Sequence, residues 1–211
     1  MINQSSSPAP KDSATTSAGS ALHAWVDESV HTPSADTRGM YVLASVVADP
    51  RACEATRAKL MSLVAKGRHR LHWRDESEPL RRKITAVIVA CGFPSIVVVG
   101  TELDARKQER ARRKCMRRLL FELDRVGVGQ VWLESRTQSL NRKDGRLIDA
   151  LRGEQAISKD LRIDFGLPSE EPMLWVPDAV AGACAAARKY AGGEEHRHAL
   201  GGLLREFDIE L

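Results

Sequence analysis

The chain has 211 residues, 43% of them hydrophobic, and a formal net charge of +4. This is enough apolar material for one sizeable core, and no apolar run approaches the roughly 18 residues of a membrane-spanning helix. The first residues lack the basic and apolar segments of a secretory signal, and the four cysteines form no C-x-x-C pair. The sequence therefore predicts a cytoplasmic protein that contacts no membrane, and it argues against a disulfide framework or a zinc site.

The first predicted elements are a leader and a β-hairpin. Residues 1–20 are rich in Ser, Ala, Thr and Pro and almost free of large apolar side chains. Burial there cannot offset the entropy of ordering, so we expect a disordered leader. Apolar strands over 22–27 and 40–47 flank a polar loop, which is the pattern of a hairpin. The folded domain is therefore predicted to begin at residue 21.

The rest of the chain alternates helices and strands. Helices are predicted over 49–66, 78–90, 104–126, 141–151 and 178–190, and further strands over 95–100, 131–133 and 161–165. This order predicts an α/β fold, a five-stranded mixed sheet with helices on both faces, that occupies residues 21–192. The polar residues 193–211 are predicted to form a C-terminal tail.

Three acidic residues each follow a short apolar run: Asp27, Glu134 and Asp178. A carboxylate at the edge of a core is costly to desolvate unless a cation compensates its charge. Brought together, the three would form an oxygen-ligand site for Mg²⁺ or Mn²⁺. The alternative is that each acid is an independent turn residue or helix cap.

The segments around these acids resemble the ribonuclease-H-like superfamily, and within it the family called domain of unknown function 3800. The resemblance spans roughly residues 22–190 and rests on four segments: Trp25 to Ser29, Met40 to Val47, Val131 to Arg136, and Val176 to Ala183. It implies a five-stranded mixed sheet whose first and fourth strands are adjacent. It also implies that the last helix lies at the edge of the sheet where these two strands end.

The resemblance further implies the roles of the acids. In related nucleases such carboxylates hold two divalent ions that activate a water molecule and stabilise the leaving oxygen of a phosphodiester. Asp27 resembles the bridging ligand, Glu134 the ligand from the second strand, and Asp178 the ligand from the final helix. Many relatives have Asp at the position of Glu134, and the extra methylene of Glu changes the reach of the side chain rather than its donor atoms.

A fourth acid is usual in the superfamily, and the sequence leaves it open among Glu28, Glu109 and Asp144. Neighbouring strand residues point to opposite faces, so Glu28 joins Asp27 only if the chain bends after the strand. Asp144 reaches the site only if the helix over 141–151 lies above it. Asp144 and Glu28 are therefore kept as further candidate catalytic residues.

Four arginines of the helix over 104–126 recur at helical spacing: Arg106, Arg110, Arg113 and Arg117. This stripe predicts a surface that follows the phosphates of a nucleic acid, although an ordinary solvated helix face has the same pattern. His72, next to Trp73, is a further candidate for contact with a nucleotide, with packing at the core edge as its alternative.

Two functions follow from these patterns. The first is a metal-dependent nuclease, or a related phosphoryl-transfer hydrolase, that uses Asp27, Glu134 and Asp178. The second is a non-catalytic nucleic-acid-binding module in which the acids are only structural. No phosphate loop of the Walker or dinucleotide type is present, and neither Ser29 nor Ser135 lies in a nucleophile motif.

Overall fold

A six-stranded sheet forms the centre of the computed structural model, which describes residues 22–34 and 38–211. The strands are β1 (His23–His31), β2 (Met40–Ala48), β3 (Ser95–Thr101), β4 (Gln130–Glu134), β5 (Arg162–Gly166) and β6 (Leu204–Glu210). Their order is β5-β4-β1-β2-β3-β6. Strand β2 is antiparallel to β1 and β3, whereas the other neighbours are parallel, so the sheet is mixed as predicted. The leader predicted over residues 1–20 lies outside the described residues.

The helices of the described segments are α1 (Glu54–Ser62), α2 (Glu78–Cys91), α3 (Gln108–Arg125), α4 (Gln138–Gly153), α5 (Trp175–Lys189) and α6 (Glu195–Leu200). Helix α2 ends at Gly92, whose φ of 67° is the left-handed conformation of a helix C-cap. Within residues 22–34 and 38–211, no helix has both the length and the apolarity needed to span a bilayer.

Helices cover both faces of the sheet, which confirms that part of the prediction. Strand β2 is buried along its whole length because alternate residues face two different cores. On one face, Trp25 and Val42 pack with α1, α2 and α5. On the other face, Val26 and Leu43 pack with α3 and α4. We refer to these as the α5 face and the α3 face.

The segment predicted as a polar tail over 193–211 is part of the domain. It forms α6 and then β6, which runs parallel to β3 from the pair Ser95–Leu204 to the pair Thr101–Glu210. The sheet therefore has six strands rather than five, and the predicted boundary at residue 192 is wrong. Strand β6 lies at the edge of the sheet, where four of its seven residues are charged and none is fully buried. Its apolar pattern is correspondingly weak.

Three element boundaries differ from the prediction at the place where the acids lie. Strand β1 continues past Asp27 to His31, helix α4 begins at Gln138, and helix α5 begins at Trp175. Asp178 is thus inside the first turn of α5 rather than at its start. The predicted adjacency of the first and fourth strands is confirmed, since β1 pairs with β4 from His23–Gln130 to Val26–Leu133.

Candidate metal-binding site

The three predicted acids meet where the pairing of the inner strands β1 and β4 ends. The paired residues of β1 and β4 end at Val26 and Leu133, and the next residues are Asp27 and Glu134. Side chains alternate along a strand, so both acids share the α5 face with the tryptophans two residues before them. The first turn of α5 places Asp178 beside them. All three line a single cavity of about 210 Å³.

Asp178 is held by the loop between α1 and α2. The backbone N–H of Trp73 donates a hydrogen bond of 2.7 Å to Oδ2 of Asp178, and Nδ1 of His72 lies 3.2 Å from the same oxygen. The loop is fixed in turn by Glu76, which accepts hydrogen bonds from the backbone of His72 and the guanidinium of Arg68. One oxygen of Asp178 is therefore oriented by two donors.

Asp27 carries the strongest electrostatic strain in the cavity. It is only 8% exposed, and burial raises its pKa well above the ordinary value, with Glu134, Asp178 and Glu28 raising it further. Burial also raises the pKa of Glu134, although a hydrogen bond with Asp27 and the charge of Arg70 oppose this rise. Of these two carboxyl groups, Asp27 is the one whose ionised form the cavity disfavours more.

Two cationic side chains lie at the mouth of the cavity. Nη1 of Arg70 is 3.5 Å from Oε1 of Glu134, and its side chain is 44% exposed. The hydrogen bond with Asp178 raises the pKa of His72. His72, predicted to contact a nucleotide, thus belongs to the acidic cavity and not to the basic helix. Within residues 22–34 and 38–211, neither Arg70 nor His72 forms an ion pair with Asp27.

The donor set of this cavity fits a hard divalent cation. Carboxylate oxygens from three separate elements are the ligands that Mg²⁺ and Mn²⁺ prefer. Burial raises the pKa of Asp27 and of Glu134, so a cation bound between them would offset an unfavourable charge. Within residues 22–34 and 38–211, no three His, Cys, Asp or Glu side chains already have the arrangement of a metal site.

The candidates for the fourth acid are bound by arginines. Arg112 of α3 is 2% exposed, and its guanidinium donates to Glu28 at 2.6 Å and to Asp144 at 3.0 Å. Arg136 donates to Asp144 at 2.9 Å and to Glu109 at 2.7 Å. Glu28 lines the rim of the cavity, whereas Asp144 and Glu109 lie between α3 and α4. The structure brings neither Asp144 nor Glu109 to the three acids.

Three arginines of this region were given no role by the sequence: Arg70, Arg112 and Arg136. Arg112 had a detectable signal, because it precedes Met116 and Leu120 by one and two helical turns on the buried side of α3. A cation in an apolar stripe indicates a buried ion pair. Arg70 and Arg136 lie in a loop and just after a strand, where periodicity gives no such signal.

The predicted basic stripe is divided by the structure. Arg110, Arg113 and Arg117 line one groove between α3 and α4. Arg106 precedes α3 and pairs with Asp104, whose side chain caps the turn before the helix. Three of the four predicted arginines therefore line the groove, and Arg106 does not.

The likeness to the ribonuclease-H-like superfamily stays a prediction from the sequence. No protein-family model matches this chain, and no curated protein has significant similarity to it.

Proposed function

We propose that this chain is a divalent-metal-dependent nuclease, or a related phosphoryl-transfer hydrolase, with a ribonuclease-H-like fold. The observation that carries the proposal is the meeting of Asp27, Glu134 and Asp178 in one cavity, where repulsion and burial raise the pKa of Asp27. Three isolated caps or turn residues would not repel one another in this way. A perturbed cluster of acids in a cleft is typical of a functional site.

The sheet topology supports the proposed fold. Strand β1 is central, antiparallel to β2 and parallel to β4, and helices cover both faces. This is the adjacency that the resemblance implies for the two strands carrying Asp27 and Glu134. Strand β6 extends the sheet beyond β3, on the side away from the acids.

The proposed metal ligands are Asp27, Glu134 and Asp178, with Mg²⁺ or Mn²⁺ as the ion. Such an ion supplies a Lewis acid for a phosphoryl oxygen and lowers the pKa of a bound water molecule. The protein orients Asp178 through the N–H of Trp73. Leu174, Trp175 and Pro168 form an apolar wall that limits water at the carboxylates and strengthens their field.

Arg70 and His72 would act on the substrate rather than on the ion. Both line the cavity, and their side chains are 44% and 38% exposed. A phosphate that enters the cavity would exchange the ion pair of Arg70 with Glu134 for one with its own oxygens. This exchange would free Glu134 to bind the ion. His72 stays hydrogen-bonded to Asp178 and presents its ring at the entrance.

Calorimetric titration of Mn²⁺ and Mg²⁺ into the wild-type protein and Asp27→Asn tests the proposal. Saturable binding is expected in the wild type and should be lost in Asp27→Asn and weakened in Glu134→Gln. The matched control is Asp160→Asn, which changes an exposed acid far from the cavity. Cleavage of radiolabelled DNA, RNA and hybrid substrates should follow the same pattern. Equal metal binding by Asp27→Asn and the wild type would refute the assignment.

The second candidate is a non-catalytic nucleic-acid-binding module. The observation that favours it is the basic groove between α3 and α4, which requires no metal ion. This candidate predicts binding of nucleic acid in chelator and no cleavage when Mn²⁺ is added. Cleavage abolished by Asp27→Asn would exclude it.

A further inference from the structure

A large concave surface lies on the α3 face, away from the acidic cavity. It is a groove of about 650 Å³ between α3 and α4, which we call the α3–α4 groove. Its cationic lining residues are Arg110, Arg113, Lys114, Arg117, Lys143 and Arg146. Two acids, Glu109 and Asp144, also line it, but both are hydrogen-bonded to Arg136. The groove is therefore strongly positive.

Four of these cations have no counter-ion in the described residues. Arg117 pairs with Glu154, and Lys114 donates to a backbone carbonyl. The side chains of the other four are exposed and make no ion pair or hydrogen bond with any described residue: Arg110, Arg113, Lys143 and Arg146. Like charges one turn apart on a helix destabilise it, and here they occur on both walls. An anion bound between the walls would relieve this repulsion.

The arrangement of the cations indicates a repeating anion. Arg110, Arg113 and Arg117 are spaced about 4.5 and 6 Å along the axis of α3, given a rise of about 1.5 Å per residue. Lys143 and Arg146 repeat about 4.5 Å apart on α4. A row of charges on each wall suits a chain of phosphates better than a single small ion, because a single ion would neutralise only one part of each row.

The lining also indicates how a nucleic acid would be recognised. The described residues that line the groove include no aromatic side chain on which an unstacked base could stack. Contacts from Lys and Arg to phosphates fix position but do not read sequence. This composition favours a duplex, whose bases stay stacked while its backbone is presented to the protein.

We propose that the α3–α4 groove binds the phosphate backbone of duplex nucleic acid without reading its sequence. This proposal rests on the proposed function, because it names duplex nucleic acid as the substrate class of the proposed nuclease. A physical link exists: Arg136 lines the acidic cavity and donates to Glu109 and Asp144 in the groove. Binding by the groove itself requires neither the ion nor the three acids.

Fluorescence anisotropy in EDTA tests the groove without the metal. The probes are a labelled duplex of mixed sequence, a second duplex of different sequence and the corresponding single strand. The test variant is Arg113→Glu/Arg146→Glu, one reversal on each wall. The control is Lys83→Glu/Arg142→Glu, which has the same net charge but changes exposed, unpaired cations outside the groove. Circular dichroism and thermal unfolding verify that both variants fold.

We expect the test variant to lose at least about tenfold in duplex affinity, and the slope of log affinity against log salt to fall by about two. The control should keep most of its affinity, and both duplexes should bind alike and more tightly than the single strand. An equal loss in test and control variants would overturn the proposal, as would tighter binding of the single strand or strong preference for one sequence. Unchanged affinity in the test variant would overturn it too.

The outcomes also separate this proposal from the proposed function. If the test variant binds Mn²⁺ normally but keeps its duplex affinity, only the groove assignment fails. If the wild-type protein binds duplex through the groove but takes up no Mn²⁺, only the metal site fails.

Discussion

The indole ring of Trp73 lies so close to Gly182 of α5 that a Cβ atom at residue 182 would overlap the ring. Trp73 is also the residue whose N–H donates to Asp178, one turn earlier in the same helix. The absence of a side chain at Gly182 therefore sets how closely the loop approaches α5. Through this contact, a residue outside the cavity positions one of its carboxylates.

Gly182→Ala should displace Trp73 and weaken the hydrogen bond to Asp178. We expect a loss of about 1–3 kcal/mol in the free energy of unfolding, the usual cost of overpacking, and weaker Mn²⁺ binding. Urea denaturation and calorimetry measure the two effects. The control is Gly145→Ala in α4, where a Cβ meets no atom within 4 Å. It should stabilise the protein by about 0.5–1 kcal/mol, and similar effects in both variants would contradict the prediction.

Asp27→Asn should make the metal-free protein more stable at neutral pH. Burial and the neighbouring acids raise the pKa of Asp27, so the ionised form is disfavoured in the folded state. The gain should be at least about 1 kcal/mol, or about 2–4 °C in Tm for a chain of this size. Thermal unfolding in EDTA measures it. A lower Tm for Asp27→Asn than for the wild type would show that the Asp27 charge is compensated.

The same shift predicts how this stability gap depends on pH. A raised pKa means that the folded state binds more protons than the unfolded state between the ordinary value, about 3.9, and the raised value. Stability of the wild type relative to Asp27→Asn should therefore be greatest at low pH and fall as pH rises through that window. Tm curves of both proteins from pH 4 to 8 in EDTA test this, and a constant difference would refute it.

Metal binding should release protons. Mn²⁺ binds the ionised form of a carboxylate, and the pKa values of Asp27 and Glu134 are raised, so the affinity for Mn²⁺ should rise with pH. Calorimetry at pH 6 in buffers of different ionisation enthalpy counts the protons released. His72→Gln is the comparison, because the pKa of His72 is raised by Asp178 and this proton would also leave. The variant should release fewer protons than the wild type, and no release from either protein would contradict the raised pKa of Asp27.

Asp144→Asn should destabilise the protein without removing metal binding. It leaves Arg112 and Arg136 with less counter-charge, and breaking such a buried pair costs about 3–5 kcal/mol. Urea denaturation measures the loss. The control on the same helix is Asp149→Asn, where an exposed acid lies 3.8 Å from Arg152 and the cost should be below about 1 kcal/mol. Loss of Mn²⁺ binding by folded Asp144→Asn would make Asp144 a ligand after all.

The central part of the fold was predictable because its signals are local. The β-branched run at Ser95 gave β3, and the apolar stretches before Asp27 and Glu134 gave β1 and β4. In β1 and β3 the apolar runs are buried without a break, as is typical of strands covered on both faces. Strand β6 was missed because its edge position lets it carry Arg205, Asp208 and other charges between apolar residues.

The candidate site was predictable only in part. Glu134 lies at a strand end, which the sequence marks, whereas Asp27 lies inside β1, just past the last residue that pairs with β4. The sequence does not distinguish metal ligands from ion-paired acids, because that distinction depends on which face of the sheet each residue occupies. Glu28 meets Arg112 since it faces α3, whereas its neighbour Asp27 faces α5. Arg112 could have been singled out from its buried position on α3, but its partners could not.

The central place of β1 in the sheet has a consequence for synthesis of the protein. Asp27 leaves the ribosome early, whereas β4 and α5, which carry Glu134 and Asp178, follow much later. A growing chain therefore lacks the repulsion among the acids and also the means to hold an ion until α5 has docked. Because an ion that binds only the finished arrangement stabilises it, metal uptake would favour completion of the domain over its partly folded forms.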